Sequence, residues 1–305
     1  VKKNLVKTTN KTTINVFLDT DLGNNIDDTL ALVYLIMHRN VNLTGIITSS
    51  GKGGARAKAI QMIGEELCVK IPIFVGAERN MVGKVMQKKP DLLDFHDADF
   101  GSKPSKDYSE VAAIMDAHSD KGINYLAIGP MTNIAHMCEQ YPDICGKLEQ
   151  LIWLGGNYSE IPDKPETNAR LDPQAAAQMS RVNSFHQIYL GYEQTRDVHI
   201  DFDQLMSVPV FRNSEFLGKM VQQYYNKHQK ISCNDVLAAV CLTHPAFFKY
   251  QQHNLNVELC QIQQLGQTRI KDSKIKPATS THIISHIDTK NAIAHFFKTI
   301  NGKSS

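Results

Sequence analysis

The six cysteines, Cys68, Cys138, Cys145, Cys233, Cys241 and Cys260, form no CxxC pair, which argues against zinc-ribbon and thioredoxin-like chemistry. At 305 residues the chain can bury a substantial core without disulfides, so reduced thiols are expected. No apolar stretch is long enough to span a bilayer, and no membrane partner is expected. There is no basic stripe either. Net charge is +2 with both signs interspersed, which argues against a dedicated nucleic-acid binder. The glycine cluster GKGG at 51–54 lacks the GxxxxGKS/T order of a phosphate-cradling loop. No repeat or low-complexity linker interrupts the chain, so 14–305 is expected to form one domain behind a frayed Lys/Thr/Asn-rich segment at 1–13. The sequence begins at Val1. A cytoplasmic location is expected, with periplasmic or secreted alternatives left open, because the start of the chain says nothing about a leader.

Positive charge is also missing from Thr12 to Met37, where carboxylates gather instead. Within Val16 to Leu32, VFLDTDLGNNIDDTLAL, stand Asp19, Asp21, Asp27 and Asp28. Ile14 to Leu18 reads as a short buried strand, Asp-Leu-Gly-Asn-Asn as a turn, and Leu30, Ala31, Val33, Tyr34 and Met37 recur at helical spacing. Strand periodicity predicts Asp19 and Asp21 on one side, and the helix start brings Asp27 and Asp28 to the same place. A helix dipole supplies only about half a charge, so four such groups must take up protons or share a cation. An all-oxygen set suits Ca²⁺ or Mg²⁺ rather than zinc.

The rest of the chain repeats this rhythm. Strands are expected at Val41–Ser50, Ile71–Val75, Asn124–Ile128, Leu151–Gly156 and Ile188–Glu193. Helices are expected at Ala55–Leu67, Ser109–Ser119, Phe216–Gln229 and Asn291–Ile300, with others opening near Thr132, Gln174 and Asp235. Alternating β and α elements predict an α/β fold, a doubly wound and mostly parallel sheet with a Rossmann-like core. Ligands of such sheets bind outside the strands' carboxyl ends, which is where the acidic turn falls. Thr132 or Asn133 is expected to cap the helix after Gly129-Pro, Asp172 with Pro173 fits a helix start, and Trp153 reads as core. Two strands are expected between Asn256 and Ile284, and Asp288 is expected to cap the last helix.

DTDLGNNIDD resembles the DTDxGxDD signature of the calcium-dependent nucleoside hydrolases, closest in spacing to a long-loop subgroup written DTDxGNDIDD. Gly129-Pro-Met-Thr-Asn-Ile-Ala resembles that family's GPLTNIA segment, and the block around Glu166, Asn168 and Asp172-Pro173 resembles its GG…EFN…ADPEAA. The matches at 19–28, 128–134, 166–173 and 235 come in the family's order. The resemblance implies the nucleoside hydrolase fold, a homodimer or homotetramer, and hydrolysis of a ribonucleoside's N-glycosidic bond to free base and ribose. It implies a Ca²⁺ held by Asp19, Asp21, Asp28, the Ile128 carbonyl and Asp235. Asp21 is the expected general base for a calcium-bound water. Asp27, about 100° from Asp28 around the helix, is assigned to a ribose hydroxyl. Glu166, Asn168 and Asn157 are further expected sugar contacts, and His96 and Asn234 expected substrate contacts. Glu193 matches a family position without an assigned role.

Two departures matter. Asn234 stands where many members have a leaving-group His, and Lys52 where a ribose-contacting Asn is usual. They motivate an alternative reading, a non-catalytic or very slow nucleoside- or ribose-binding relative. Tyr224, Tyr225, His228, His96 or solvent would have to protonate the leaving base. Asp19-Thr-Asp21 also mimics the nucleophile motif of haloacid-dehalogenase phosphotransferases, but those need a distant acidic pair, and here the pair follows at once.

Overall fold

β1 (Ile14–Thr20) is buried from Asn15 onward because a strand flanks it on each side. Its side chains alternate between two hydrophobic layers. Val16 and Leu18 enter one, and Phe17 enters the other, as the two-residue period requires. The computed structural model describes residues 13–51, 53–86, 92, 105–271 and 281–302. His96 and Lys52 lie outside the described residues.

Among these residues the main sheet has eight strands. After β1 come β2 (Val41–Thr48), β3 (Ile73–Val75), β4 (Ile123–Ala127), β5 (Leu148–Leu154), β6 (His186–Leu190), β7 (Phe248–Gln252) and β8 (Thr281–Ile287). Their order across the sheet is β3-β2-β1-β4-β5-β6-β8-β7. Every neighbouring pair is parallel except β7 with β8. The chain therefore winds outward from β1 to β3, returns to the other side of β1, and winds outward again through β6. That reversal leaves a crevice beyond the carboxyl ends of β1 and β4.

The helices that bear on the crevice are α1 (Asp27–Met37), α2 (Gly53–Glu66), α3 (Tyr108–Ser119), α4 (Thr132–Gln140), α5 (Thr167–Leu171), α6 (Pro173–Met179), α7 (Glu215–His228), α8 (Asn234–Thr243) and α9 (Thr289–Ile300). α1, α8 and α9 pack on one another and share the Val16/Leu18 layer through Leu30, Leu237 and Phe296. The opposite layer is aromatic. Phe17 stacks with Tyr125 at 5.7 Å, and Trp153 meets Tyr189 edge-on at 5.0 Å, a geometry that aromatic pairs favour.

The α/β class and the mostly parallel sheet are as the alternating pattern predicts. Asp288 caps α9 by accepting from the Asn291 amide, and Trp153 is core. The C-terminal third differs from expectation. Leu255–Val257 and Thr268–Ile270 pair with each other outside the main sheet, and β7 is an antiparallel edge strand that the sequence pattern did not indicate. Glu193 is not in a strand: β6 stops at Leu190, and Glu193 sits in the short helix Tyr192–Thr195. No helix among the described residues is long and apolar enough to cross a membrane.

Candidate active site

β1 runs out at Thr20, and the six residues before Asp27 turn around Gly23, whose φ of 116° is open to glycine and strained for other residues. Thr20 ties this turn together. Its hydroxyl donates to Asp28 Oδ1 at 2.5 Å and accepts from the Leu22 amide at 3.1 Å. α1 then starts with Asp27 and Asp28, and α8 starts beside it with Asn234 and Asp235. One carboxylate oxygen from each of Asp27, Asp28 and Asp235 comes within 4.8 Å of the others, and all three residues are buried. Asp21 lines the same cavity.

Burial, opposed by hydrogen bonds and reinforced by neighbouring carboxylates, raises every acid here. Asp27 is pushed up to about 6, chiefly by burial. Asp28 and Asp235 are driven well above the ordinary range by burial and then by the surrounding aspartates, and they share a hydrogen bond. Asp21 is raised by burial against the pull of Arg56. Arg56 is a fully buried cation that sequence reasoning missed. Its guanidinium donates to the main-chain carbonyls of Asp21, Leu22 (2.6 Å) and Ser50 (3.0 Å). It clamps the turn from below and offsets part of the negative charge, leaving the carboxylate oxygens facing the cavity.

The donor set fits a hard dication. It is all oxygen, and Asp27 Oδ1 is buried without a hydrogen-bond partner among the described residues. An orphaned buried carboxylate oxygen is costly unless a cation or a ligand's donor group faces it. Asp27 Oδ2, in contrast, accepts from the Asn234 amide at 3.2 Å.

Asp19 is placed differently from the expectation that it coordinates the ion. Residue 19 is still within the sheet, paired with Ile47 and Ala127, so its side chain projects into the aromatic layer rather than off the strand end. Its oxygens accept from Asn133 Nδ2 and Tyr125 Oη, both at 2.9 Å, and it does not line the cavity. Burial raises it to about 7, against those two hydrogen bonds. Asp19 is thus a buried post beneath the site. Asn133 serves this post instead of capping α4, and Thr132 donates to Asp172 at 2.6 Å, so neither caps the helix. Asp172 is structural, capping α6 through the Ala175 amide.

The opposite side of the cavity comes from β4, β5 and α5. The Ile128 carbonyl accepts from Asn168 Nδ2 at 3.0 Å, and the same amide reaches the Leu154 carbonyl at 2.9 Å. Asn168 Nδ2 therefore ties the end of β5 to the residue after β4, leaving Oδ1 as its acceptor. Glu166 likewise accepts from the Asn168, Ala169 and Gly156 amides, so it caps α5 and fixes the loop after β5. Asn157 Oδ1 accepts from the Ser159 amide and hydroxyl, which directs its Nδ2 as the donor. Ile128, Asn157, Glu166, Asn168 and Asn234 all line the cavity of about 290 Å³, close to the lower end of small-molecule sites at about 300–1,000 Å³. Glu193 stands behind it, accepting from the Tyr158 amide at 3.0 Å.

The mouth adds residues that no motif signalled: Lys164, Tyr192, Arg196, His199 and Lys230. His199–Ile200 pairs antiparallel with Ile231–Ser232, which brings His199 beside Ser232. Tyr224, one of the expected acid candidates, lines the cavity and lies 3.0 Å from Ser232 Oγ through its hydroxyl. Tyr225 instead stacks on Phe202 at 4.0 Å, and His228 packs against Tyr224 at 4.4 Å.

A parallel α/β sheet with an acid-floored crevice at its switch point defines the class of protein. Residues 16–294 match the family described as inosine-uridine preferring nucleoside hydrolase, and the chain belongs to that family. It is 25% identical over 264 residues to the non-specific ribonucleoside hydrolase RihC of Klebsiella pneumoniae, covering 80% of this chain and 83% of that protein. Its fold is similar to that of a purine-preferring ribonucleoside hydrolase from Gardnerella vaginalis (TM-score 0.77, 20% identity, 94% of this chain and 98% of that one). It is also similar to an inosine-uridine preferring nucleoside hydrolase from Bacillus anthracis (TM-score 0.72, 19% identity, 95% and 100%).

Proposed function

We propose that the protein hydrolyses the N-glycosidic bond of a ribonucleoside, releasing base and ribose. One observation carries this reading: three buried carboxylates converge within 4.8 Å on the floor of a cavity of about 290 Å³, and one of their oxygens lacks a partner among the described residues. Asp28, Asp235, Asp21 and the Ile128 carbonyl would hold Ca²⁺, with Asp27 beside them for a ribose hydroxyl. A bound Ca²⁺ would supply an oriented water of lowered pKa and offset the carboxylates' charge.

The chain's own groups do the rest. Asp21 accepts the proton of the attacking water, a task for which a carboxylate raised by burial is suited. Asp27 accepts from a ribose hydroxyl through Oδ1 and fixes the sugar. The surrounding carboxylates stabilise the positive charge that develops on the ribose ring, as in glycoside hydrolysis generally. Asn234 is a poor proton donor. Tyr224 and His199 line the cavity on the side of Asn234 and Ser232 and each carries a transferable proton, and we assign help for the departing base to that side.

The test is ribose release, measured as reducing sugar, from purine and pyrimidine nucleosides and from p-nitrophenyl riboside, whose leaving group needs little protonation. Turnover of natural nucleosides that is lost in Asp21→Ala is the expected result. Binding of nucleoside with no turnover of any substrate would overturn it in favour of a non-catalytic relative, the reading that Asn234 motivates. Compartment and subunit number are separate proposals. We expect a homodimer or homotetramer, checked by light scattering.

A further inference from the structure

α1 and α8 run side by side in the same direction, with carboxylates at both starts, and a histidine follows each end. His38 is the residue after α1, His244 the residue after α8, and α9 contributes His295. One ring nitrogen from each of the three lies within 4.8 Å of the others. His38 is buried, and the other two are half-buried. α1 has 11 residues, so this cluster lies about 16 Å along the helices from the acid cluster and plays no part in it.

We propose that His38, His244 and His295 form a second metal site, selective for a borderline divalent transition ion of the zinc class. The donor chemistry is the opposite of the acid floor, with three imidazoles in place of carboxylates, and imidazole suits zinc, copper and nickel rather than calcium. The rings of His244 and His295 have centroids 3.5 Å apart. Neutral imidazole is the form that binds metal, through whichever ring nitrogen is unprotonated. Aromatic neighbours hold the rings in place. Tyr34 packs against His38 at 5.5 Å and edge-on to His295 at 6.0 Å, and Phe247 stacks on His244 at 5.7 Å.

A ligating imidazole directs its other ring nitrogen to a partner. The Thr243 hydroxyl lies 3.2 Å from His244 Nδ1, and the Thr299 hydroxyl lies 3.3 Å from His295 Nε2. At His38 the Asn40 amide donates to Nδ1 over 3.3 Å, a long bond that ligation would exchange. Zinc at about 2.0–2.1 Å from each nitrogen needs ligand separations of about 3.3 Å, so the rings close inward by small side-chain rotations. The C-terminal ends of α1 and α8 add partial negative charge, which favours a cation there. The ion would tie together three helices drawn from distant parts of the chain.

The experiment uses the full chain, stripped with a chelator and then saturated with Ca²⁺ so that the acid cluster is occupied. Zn²⁺ is titrated by calorimetry, and Cu²⁺ is bound for electron paramagnetic resonance. The expected result is one equivalent of Zn²⁺ bound, at least 30-fold weaker in His244→Gln and in His295→Gln and unchanged in Asp235→Asn, with nitrogen hyperfine structure on the Cu²⁺ signal of the wild type. No stoichiometric Zn²⁺ binding, binding that survives both histidine substitutions, or a Cu²⁺ signal without nitrogen couplings would overturn the proposal. The Cu²⁺ spectrum needs only the wild type, so an unfolded variant does not decide the matter.

Discussion

The floor and the mouth of the cavity are built on different terms. The floor is buried and cross-tied. Asp28 is held by Thr20, Asp27 by the Asn234 amide, and the Asp21 main chain by Arg56. The mouth is made of Lys164, Tyr192, Arg196, His199 and Lys230, all exposed and drawn from loops and very short elements. Rigid, preorganised groups suit chemistry that is the same for every ribosyl substrate. Exposed groups on short segments suit discrimination among bases, and loops on a fixed scaffold are where such variation is tolerated.

If that division holds, substitutions in the floor and the mouth should fail in different ways. Asp28→Ala or Asp235→Ala should remove calcium binding and reduce ribose release to background, measured by calorimetry and steady-state assay. Asp21→Ala should cut kcat by about 10²–10⁴-fold, the range for a lost general base, with the fold retained by circular dichroism. If Asp19→Asn proved as damaging as either, the placement of Asp19 behind the site would be wrong. Calcium at 100 times its Kd should stabilise the protein by about 2.7 kcal/mol and raise Tm by several degrees in a thermal scan, and Asp28→Ala should abolish that rise. At the mouth, Arg196→Ala and Lys230→Ala should alter KM several-fold and differently for different bases, with kcat nearly unchanged. Equal loss across all nucleosides would erase the distinction between the two regions.

The smallest expected effect lies away from both. His186 Nε2 and His282 Nδ1 are 2.9 Å apart on β6 and β8. Burial first, and then His282, lowers His186 below its ordinary 6.5. A lowered folded value means that the unfolded chain takes the proton first as pH falls. The stabilisation is therefore full above 6.5 and is lost as pH drops from there through the lowered value. Calcium-saturated protein should lose Tm between pH 7 and pH 5 through this group, and His186→Gln should remove that part.

How much of this was legible in the sequence follows from how far apart the participants lie. Asp21, Asp27 and Asp28 are contiguous with a strand–turn–helix signature, and their common location could be read directly. Asp235 was placed by family resemblance alone, since an acid at a helix start is common. Asp19 could not be resolved, because whether residue 19 is the last residue in the ladder or the first beyond it depends on pairing with β2 and β4. Arg56 did leave a signal. It sits among Ala55, Ala57 and Ala59 in a helix whose buried face includes Ile60 and Ile63, and an arginine in an apolar helix start invites the question of what it neutralises. The mouth left none, because His199 reaches Ser232 only through a two-residue ladder. What the motif at Glu166 and Asn168 did not reveal is their second task, since main-chain groups at strand and helix ends need partners and these two side chains supply them.

Gly129 follows β4 at the cavity floor and carries a constraint of a different kind. A Cβ there would stand 2.7 Å from Ser49 Oγ and 3.2 Å from Asp21 Oδ1, and its carbonyl already accepts from the Trp153 indole at 3.1 Å. Every amino-acid replacement of glycine adds that carbon or a larger group. The first mutational step at this position therefore presses on the proposed base, and no gradual series of substitutions leads away from it. The exposed positions of the mouth carry no comparable restriction. In a diverging lineage the floor would stay fixed by steric exclusion while the mouth drifts, so substrate range can change many times over without the hydrolytic centre being rebuilt.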